Sequence, residues 1–248
     1  MSVKLKDTIL YYLIDKYCLH WNAYTWYRHR LIEKFMIIGG IKVLNIGTGG
    51  GIETLSLLRR DNFVTTIEID EKVACKTLDR VRRHGFEHKH IGLTGHILEV
   101  NLKEKFHEIL MCEVLEHIRD DRSALTRISN WLLPGGRLIL STPTASYGQL
   151  SIQPVEIDEN GGHVRVGYDG PELDQMLKDV GMFTLRRIYN GNSIIKSLIY
   201  FENRVGNFPI TRPIGYCVSF IFRLFFPFLD LFEMRPYDQI TLAIKKYW

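Results

Sequence analysis

Cysteine is scarce in this chain, and what there is lies scattered. Cys18, Cys75, Cys112 and Cys217 include no C-x-x-C pair, which argues against a structural zinc site and a disulfide framework and fits a reduced, cytoplasmic chain. A dominant charge is also lacking: 32 Lys and Arg against 28 Asp and Glu leave a formal net charge of +4. Without a continuous basic face, nucleic acid is not the expected partner. The one concentrated basic stretch, Arg80, Arg82, Arg83, His84, His88, Lys89 and His90, falls at the end of a predicted helix, where positive charge favours the C-terminal dipole. A secretory signal is not expected, because Lys4, Lys6, Asp7, Asp15 and Lys16 interrupt the apolar residues at the start. A clean membrane span is missing too. Residues 214–232 approach spanning length but hold Arg223, Pro227 and Asp230, which are costly or disruptive in a bilayer.

What is present is an alternation of predicted strands and helices. With 248 residues, 46% of them hydrophobic, the chain can bury the core of one α/β domain plus a modest cap. The apolar run Val43-Leu44-Asn45-Ile46 leads straight into Gly47-Thr48-Gly49-Gly50-Gly51. Such a turn lets backbone amides approach a ligand where a Cβ would collide, and the helix predicted near 52–60 offers its N-terminus. The glycines are spaced by two, unlike the G-x-G-x-x-G of dinucleotide-binding enzymes. A second strand, Val64-Thr65-Thr66-Ile67-Glu68-Ile69-Asp70, brings a carboxylate about 20 residues beyond the glycines, where an acid accepts hydrogen bonds from ribose hydroxyls.

Two further segments complete a pattern: Phe106-His107-Glu108-Ile109-Leu110-Met111-Cys112-Glu113-Val114-Leu115-Glu116-His117, and Leu132-Leu133-Pro134-Gly135-Gly136-Arg137 with the strand that follows it. In this order the four segments resemble the class I S-adenosylmethionine (SAM) methyltransferases, nearest the groups with E-V-L-E-H after strand four and L-x-P-G-G before strand five. The resemblance covers residues 41–189. It implies an α/β fold, a Rossmann-like seven-stranded sheet with helices on both faces, an N-terminal helical segment and a helical cap inserted between the last two strands. The expected parts are an N-terminal helical cap (1–40), a SAM-binding core (41–189), an inserted apolar cap or lid (190–238) and the final strand of the core sheet (239–248). Strands are predicted near 42–46, 64–69, 95–100, 107–112, 136–141, 183–189 and 239–245, and helices near 52–60, 71–84, 119–132 and 170–180. Strand six should run parallel to the first five, so the insertion after it emerges over the edge where ligands bind, beside the loop at 143–169.

The resemblance also assigns roles. Gly47, Thr48, Gly49 and Gly51 would turn against the methionine moiety of SAM, Glu68 would hold the ribose, Ile69 and Asn101 would meet the adenine, and Cys112 and Glu113 would lie at the methionine end. Asn45 stands where the family carries an acid. It can orient the loop or the cofactor through one hydrogen bond but adds no charge attraction to the SAM ammonium. Cys112 reads as a small core residue rather than a nucleophile. For a hydroxyl acceptor the candidate proton acceptors are His163 first and His117 second. Glu113, Glu116 and His117, at i, i+3 and i+4, could share one side of a helical turn. With His163 they match the divalent-metal ligand set of two metal-assisted subgroups, the ubiquinone-pathway O-methyltransferases and the small-RNA 3′-terminal 2′-O-methyltransferases. The same E-V-L-E-H also occurs in methyltransferases without metal, so both readings stay open.

The expected function is methyl transfer to a small-molecule hydroxyl. The resemblance, through relatives that share the stretch His163-x-Arg165-x-x-Tyr168 and a large apolar cap and generally act on small molecules, implies a carbohydrate or natural-product hydroxyl, and the apolar insertion fits a quinone-like or lipid acceptor almost as well. The alternatives are a catalytically degenerate SAM-binding or partner-binding protein, motivated by Asn45, and a metal-assisted RNA 2′-O-methyltransferase; an NAD enzyme would leave the glycine spacing and E-V-L-E-H unexplained. The aromatic leader, with Tyr11, Tyr12, Tyr17, Trp21, Tyr24, Trp26, Tyr27 and Phe35, reads as two helices packed on the sheet or over its mouth. Residues 214–232, flanked by Arg204, Arg212, Arg223 and Arg235, read either as a buried cap helix or as an apolar surface that rests on a membrane or admits a greasy substrate. The buried cap is favoured, because an exposed run of this kind is an aggregation liability.

Overall fold

Short apolar runs bounded by turn residues form seven strands in a computed structural model that describes residues 23–146, 162–206, 212–229, 236 and 238–247. They are β1 (Lys42–Ile46), β2 (Phe63–Glu68), β3 (His90–Thr94), β4 (Phe106–Cys112), β5 (Leu132–Pro143), β6 (Met182–Asn190) and β7 (Asp238–Lys245). One sheet contains them all, in the order β3-β2-β1-β4-β5-β7-β6. β1 to β5 pair in parallel, and β7 runs antiparallel between β5 and β6. The helices of the described residues are α1 (Ala23–Glu33), α2 (Ile52–Arg59), α3 (Glu71–Arg83), α4 (Asp121–Trp131), α5 (Gly170–Asp179), α6 (Ser193–Gly206) and α7 (Arg212–Leu229). Two start on side-chain caps: Asp70 accepts from the Lys72 and Val73 amides, and Asp120 from that of Ser123.

The period of two along each strand splits the core into two layers. In β4, Ile109 and Met111 join one apolar cluster, with Leu125 and Ile128 of α4 and Leu173 of α5. Leu110, between them, joins the other, with Leu57 and Leu58 of α2 and Tyr27, Leu31 and Ile32 of α1. Both faces of the sheet are thus covered, which is why its strands read as continuous apolar runs. Charge reinforces the join of α1 to α2. Ser56 donates to Glu33 at 2.6 Å, Arg60 reaches Glu33 at 3.2 Å, and His29 lies 3.6 Å from Glu33 and 3.5 Å from Glu53. Burial opposes a charged imidazole at His29, but the two carboxylates outweigh it and raise its pKa to about 9.

The third strand differs from expectation. It occupies 90–94 rather than 95–100, pairing residue for residue with β2 from Val64↔His90 to Glu68↔Thr94. As the sheet's edge strand it is half solvated, so it shows no apolar run. The more apolar residues 97–100 form a turn instead, in which the amides of Glu99 and Val100 both bond to the His96 carbonyl while Ile97 reaches the core. Of the aromatic leader, α1 accounts for Tyr24, Trp26 and Tyr27. Residues 1–22, with Cys18, Trp21 and the other leader tyrosines, lie outside the described residues, as do 147–161 of the loop after β5.

The insertion after β6 forms α6 and α7. No helix among the described residues is long and apolar enough to cross a membrane. α7 packs one face on α1, with Tyr27 edge-on to Phe226 at 6.3 Å, and leaves the other open. The buried-cap expectation therefore holds for one face only.

Candidate active site

The carboxyl edge of the parallel strands gathers the chemistry-bearing residues. β1 gives way to Gly47, whose φ is +72° and whose added Cβ would sit 2.2 Å from Val114 Cγ2; no larger residue fits. One strand over, Glu68 closes β2 and turns its carboxylate onto the loop. Oε2 accepts from the Thr48 amide (2.8 Å), the Gly49 amide (3.2 Å) and the Thr48 hydroxyl (3.0 Å), and Oε1 from the amides of Ile69 (2.9 Å) and Asp70 (3.3 Å). Thr77 of α3 donates to Thr48 Oγ1 at 3.1 Å. Asn45 is buried and donates to Thr54 Oγ1 at 2.9 Å, so it fixes the first turn of α2 to β1. Ile69, an apolar side chain beside this edge, is 65% exposed.

Asn101 is not at a strand tip. With β3 ending at Thr94, the side chain that leaves the sheet there is His96, whose Nδ1 accepts from the Leu98 amide at 3.2 Å, and Asn101 is exposed beyond the turn. Cys112 ends β4. Burial, with the Glu53 charge next in weight, pushes its thiol well above the ordinary value, which favours the thiol over the nucleophilic thiolate.

Past Cys112 the backbone swings Glu113 to φ +52°, and only Leu115–His117 form a helical turn, of the tight 3₁₀ kind. The sequence expectation that Glu113, Glu116 and His117 share one helical side is corrected accordingly. Glu113 turns to other partners: Oε1 accepts from Ser141 Oγ at 2.6 Å and Oε2 pairs with Arg28 at 3.0 Å. Arg28 also holds Asp238 at 3.1 Å, Tyr24 donates to Asp238 at 2.6 Å, and Asn190 donates to Tyr24 at 2.6 Å. Asp238 opens β7. Because β7 is antiparallel, its first residue lies level with Pro143 and Asn190, the last residues of β5 and β6. Burial, followed by the Glu113 charge, raises Asp238 to about 7 against the pull of Arg28. Sequence reading singled out none of Tyr24, Arg28, Asn190 and Asp238 as site residues. The available signal was an acid at the start of a strand expected to be antiparallel.

The structure does bring together Glu116, His117 and His163, each offering a ligand atom within 4.8 Å of the others. Glu116 is fully buried, and neither carboxylate oxygen has a hydrogen-bond partner among the described residues. Burial, then the nearby Glu113 charge, pushes its carboxyl well above the usual range. His117 Nδ1 lies 3.0 Å from the Gly162 carbonyl; donation there leaves Nε2 with its lone pair, 4.0 Å from Glu116 Oε1. The His163 ring stands edge-on to that of His117 at 4.7 Å. His163 is delivered by a pinned loop. The Val164 amide bonds to the Glu116 carbonyl at 2.9 Å, Arg165 pairs with Asp121 (2.8 Å) and Glu172 (2.7 Å), and Tyr168 donates to Asp121 (3.0 Å) and the Leu115 carbonyl (3.2 Å). In the His-x-Arg-x-x-Tyr stretch, Arg165 and Tyr168 are anchors that place the histidine.

Comparison with known proteins identifies the family. A family model described as a methyltransferase domain matches residues 21–186. The ubiquinone biosynthesis O-methyltransferase of Hydrogenovibrio crunogenus is 29% identical over 168 residues, 63% of this chain and 68% of that protein. The protein of the same name from Stutzerimonas stutzeri is 28% identical over 111 residues, 45% of this chain and 48% of its own length. The chain thus spans about half the length of most such relatives. Among solved structures, the phosphoethanolamine N-methyltransferase 2 of Haemonchus contortus, in complex with phosphomonomethylethanolamine and S-adenosylhomocysteine, superposes with a TM-score of 0.63 at 16% identity, over 90% of this chain and 53% of that one. At that identity the likeness is one of fold. With two thirds of its residues inside the family match, the chain belongs to the methyltransferase domain family.

Proposed function

We propose that this protein transfers a methyl group from SAM to a hydroxyl of a small acceptor, with a divalent cation held by Glu116, His117 and His163. The observation that carries the reading is Glu116, a buried carboxylate without a hydrogen-bond partner among the described residues, facing two imidazoles. In a low-dielectric site such a group requires a proton or a cation. One carboxylate oxygen and imidazole nitrogens suit a hard or borderline divalent ion, and a bound ion would supply positive charge that eases loss of the acceptor's proton. The cofactor would lie across the glycine loop. Glu68 has two oxygens with separate roles: Oε2 fixes the loop amides with three hydrogen bonds, and Oε1, which accepts from the amides of Ile69 and Asp70, is the one offered to the ribose diol. Ile69 offers its exposed side chain to the adenine.

Methyl transfer from a sulfonium needs alignment more than covalent help. Arg28, Glu113 and Asp238 form the charged floor beside the methionine end, where Arg28 keeps two neighbouring carboxylates compatible. The relatives named for ubiquinone biosynthesis and the apolar insertion favour a quinone-like or lipid acceptor over a carbohydrate. A metal-free variant of the reading is favoured by one observation: burial and the adjacent His117 lower the pKa of His163, so its neutral ring could take the hydroxyl proton itself.

Calorimetric titration with S-adenosylhomocysteine tests the proposal, repeated with Glu68→Ala and with chelator. Micromolar binding abolished by Glu68→Ala supports the cofactor site; no binding to the unaltered protein overturns methyl transfer in favour of a binding relative. Turnover that survives chelator and Glu116→Gln but not His163→Ala transfers the role from the cation to His163.

A further inference from the structure

Helix α7 is built inside out. Its polar side chains Ser219 and Arg223 are buried, the latter over the Trp26 ring at 5.2 Å. Cys217, Phe220, Ile221, Leu224, Phe225 and Phe228 are exposed instead, Phe220 by 63% and Phe228 by 66%. At 3.6 residues per turn these six fall within an arc of roughly 140° that holds no polar group. Beside it, α6 exposes Ile194, Tyr200 and Phe201. An apolar face of this kind marks a contact surface.

We propose that the α6–α7 face rests on an anionic lipid bilayer, with α7 lying in the plane of the surface. Charge identifies the occupant. The two helices contain four basic residues in sequence, Lys196, Arg204, Arg212 and Arg223, of which Arg204 is exposed and Arg223 buried, and a single acid, Glu202. That acid is buried, accepting from the Ala23 amide at 3.0 and 3.1 Å, so no described carboxylate of these helices meets the headgroups. Arg204 is exposed and donates to the Tyr200 hydroxyl at 3.3 Å. An amphipathic ring bonded to a cation beside an apolar face suits the headgroup level of a membrane. α7 is not long and apolar enough to cross, which leaves lying on the surface as its mode. A second copy fits less well: a two-fold interface sets a patch against itself, and the exposed Arg204 would meet no described carboxylate of these helices across it. The buried side of α7 packs on α1, the helix that carries Arg28 to Glu113, so a lipid surface here would lie close to the candidate active site.

The test is co-sedimentation of the full chain with vesicles of phosphatidylcholine alone or with about a third phosphatidylglycerol. The protein should pellet with the anionic vesicles, less so at high salt. Phe220→Gln with Phe225→Gln should lower that partition by about tenfold or more, with thermal stability and S-adenosylhomocysteine binding unchanged. Should the double variant fold poorly, Phe225→Trp serves instead, and its added emission should shift to the blue with anionic vesicles. A folded protein that ignores both vesicle types overturns the proposal, as does vesicle binding indifferent to the double substitution. Concentration-dependent dimerisation abolished by the same pair would overturn it in favour of a second copy. None of these readouts depends on methyl transfer, so the two readings fail separately.

Discussion

Raising the pH should loosen the N-terminal helix through one side chain, His29. It is buried between Glu33 of its own helix and Glu53 in the first turn of α2, and its folded pKa is about 9 against 6.5 in the unfolded chain. A group whose pKa is raised on folding contributes fully below its unfolded value, and that contribution is lost as pH climbs through the folded value. The difference amounts to a ceiling of about 3 kcal/mol at 1.36 kcal/mol per unit. Asp238, raised to about 7, titrates at the lower end of this window and burial of the Cys112 thiol bears on its upper end, but a His29→Gln variant shares both and they cancel in the comparison; Glu33, lowered by its hydrogen bonds despite burial, matters only in acid. Urea unfolding at intervals from pH 6 to 10 would measure the effect, with His29→Gln as the control that keeps one donor and cannot charge. The unaltered protein should lose about 3 kcal/mol across the window relative to the variant. Identical slopes for the two proteins would refute the assignment.

Gly47→Ala combines a positive φ with a collision on Val114, so a destabilisation of about 2–4 kcal/mol and loss of cofactor binding are expected; adding Val114→Ala should recover part of the stability in thermal melts. Arg28→Met leaves Glu113 and Asp238 facing each other without their cation, at a cost of about 3–5 kcal/mol, which Asp238→Asn should partly restore. Glu116→Gln should abolish calorimetric binding of a divalent ion while leaving thermal stability equal or higher, because an amide removes an ionisable group that burial disfavours.

The central strands and the glycine loop were legible because their residues answer to local rules: a strand buried on both faces must be apolar, and a turn that presses on Val114 must be glycine. β3 was misplaced for the opposite reason, since an edge strand shares its burial with water and loses the apolar signature, which passed to the turn at 97–100. Asn101 fell with it. The metal candidates came from spacing in E-V-L-E-H, and spacing assumed an α-helical turn; the positive φ at Glu113 broke that assumption and sent its carboxylate to Arg28. Tyr24, Arg28 and Asp238 were invisible because no local pattern links a helix near residue 28 with a strand starting at 238. His163 could be placed only once Arg165 and Tyr168 were seen to pin its loop.

The position of β7 has a consequence for synthesis. Tyr24 and Asp238 meet across 214 residues of sequence, Arg28 and Asp238 across 210, and β6 has no neighbour in the sheet except β7. A chain leaving the ribosome therefore carries its glycine loop long before it owns a complete pocket. Until the last strand slots in, β6 is an unpaired edge followed by two aromatic helices, the kind of intermediate that aggregates or recruits chaperones. β7 is thus needed twice over, to pair β6 and to deliver the aspartate of the charged floor.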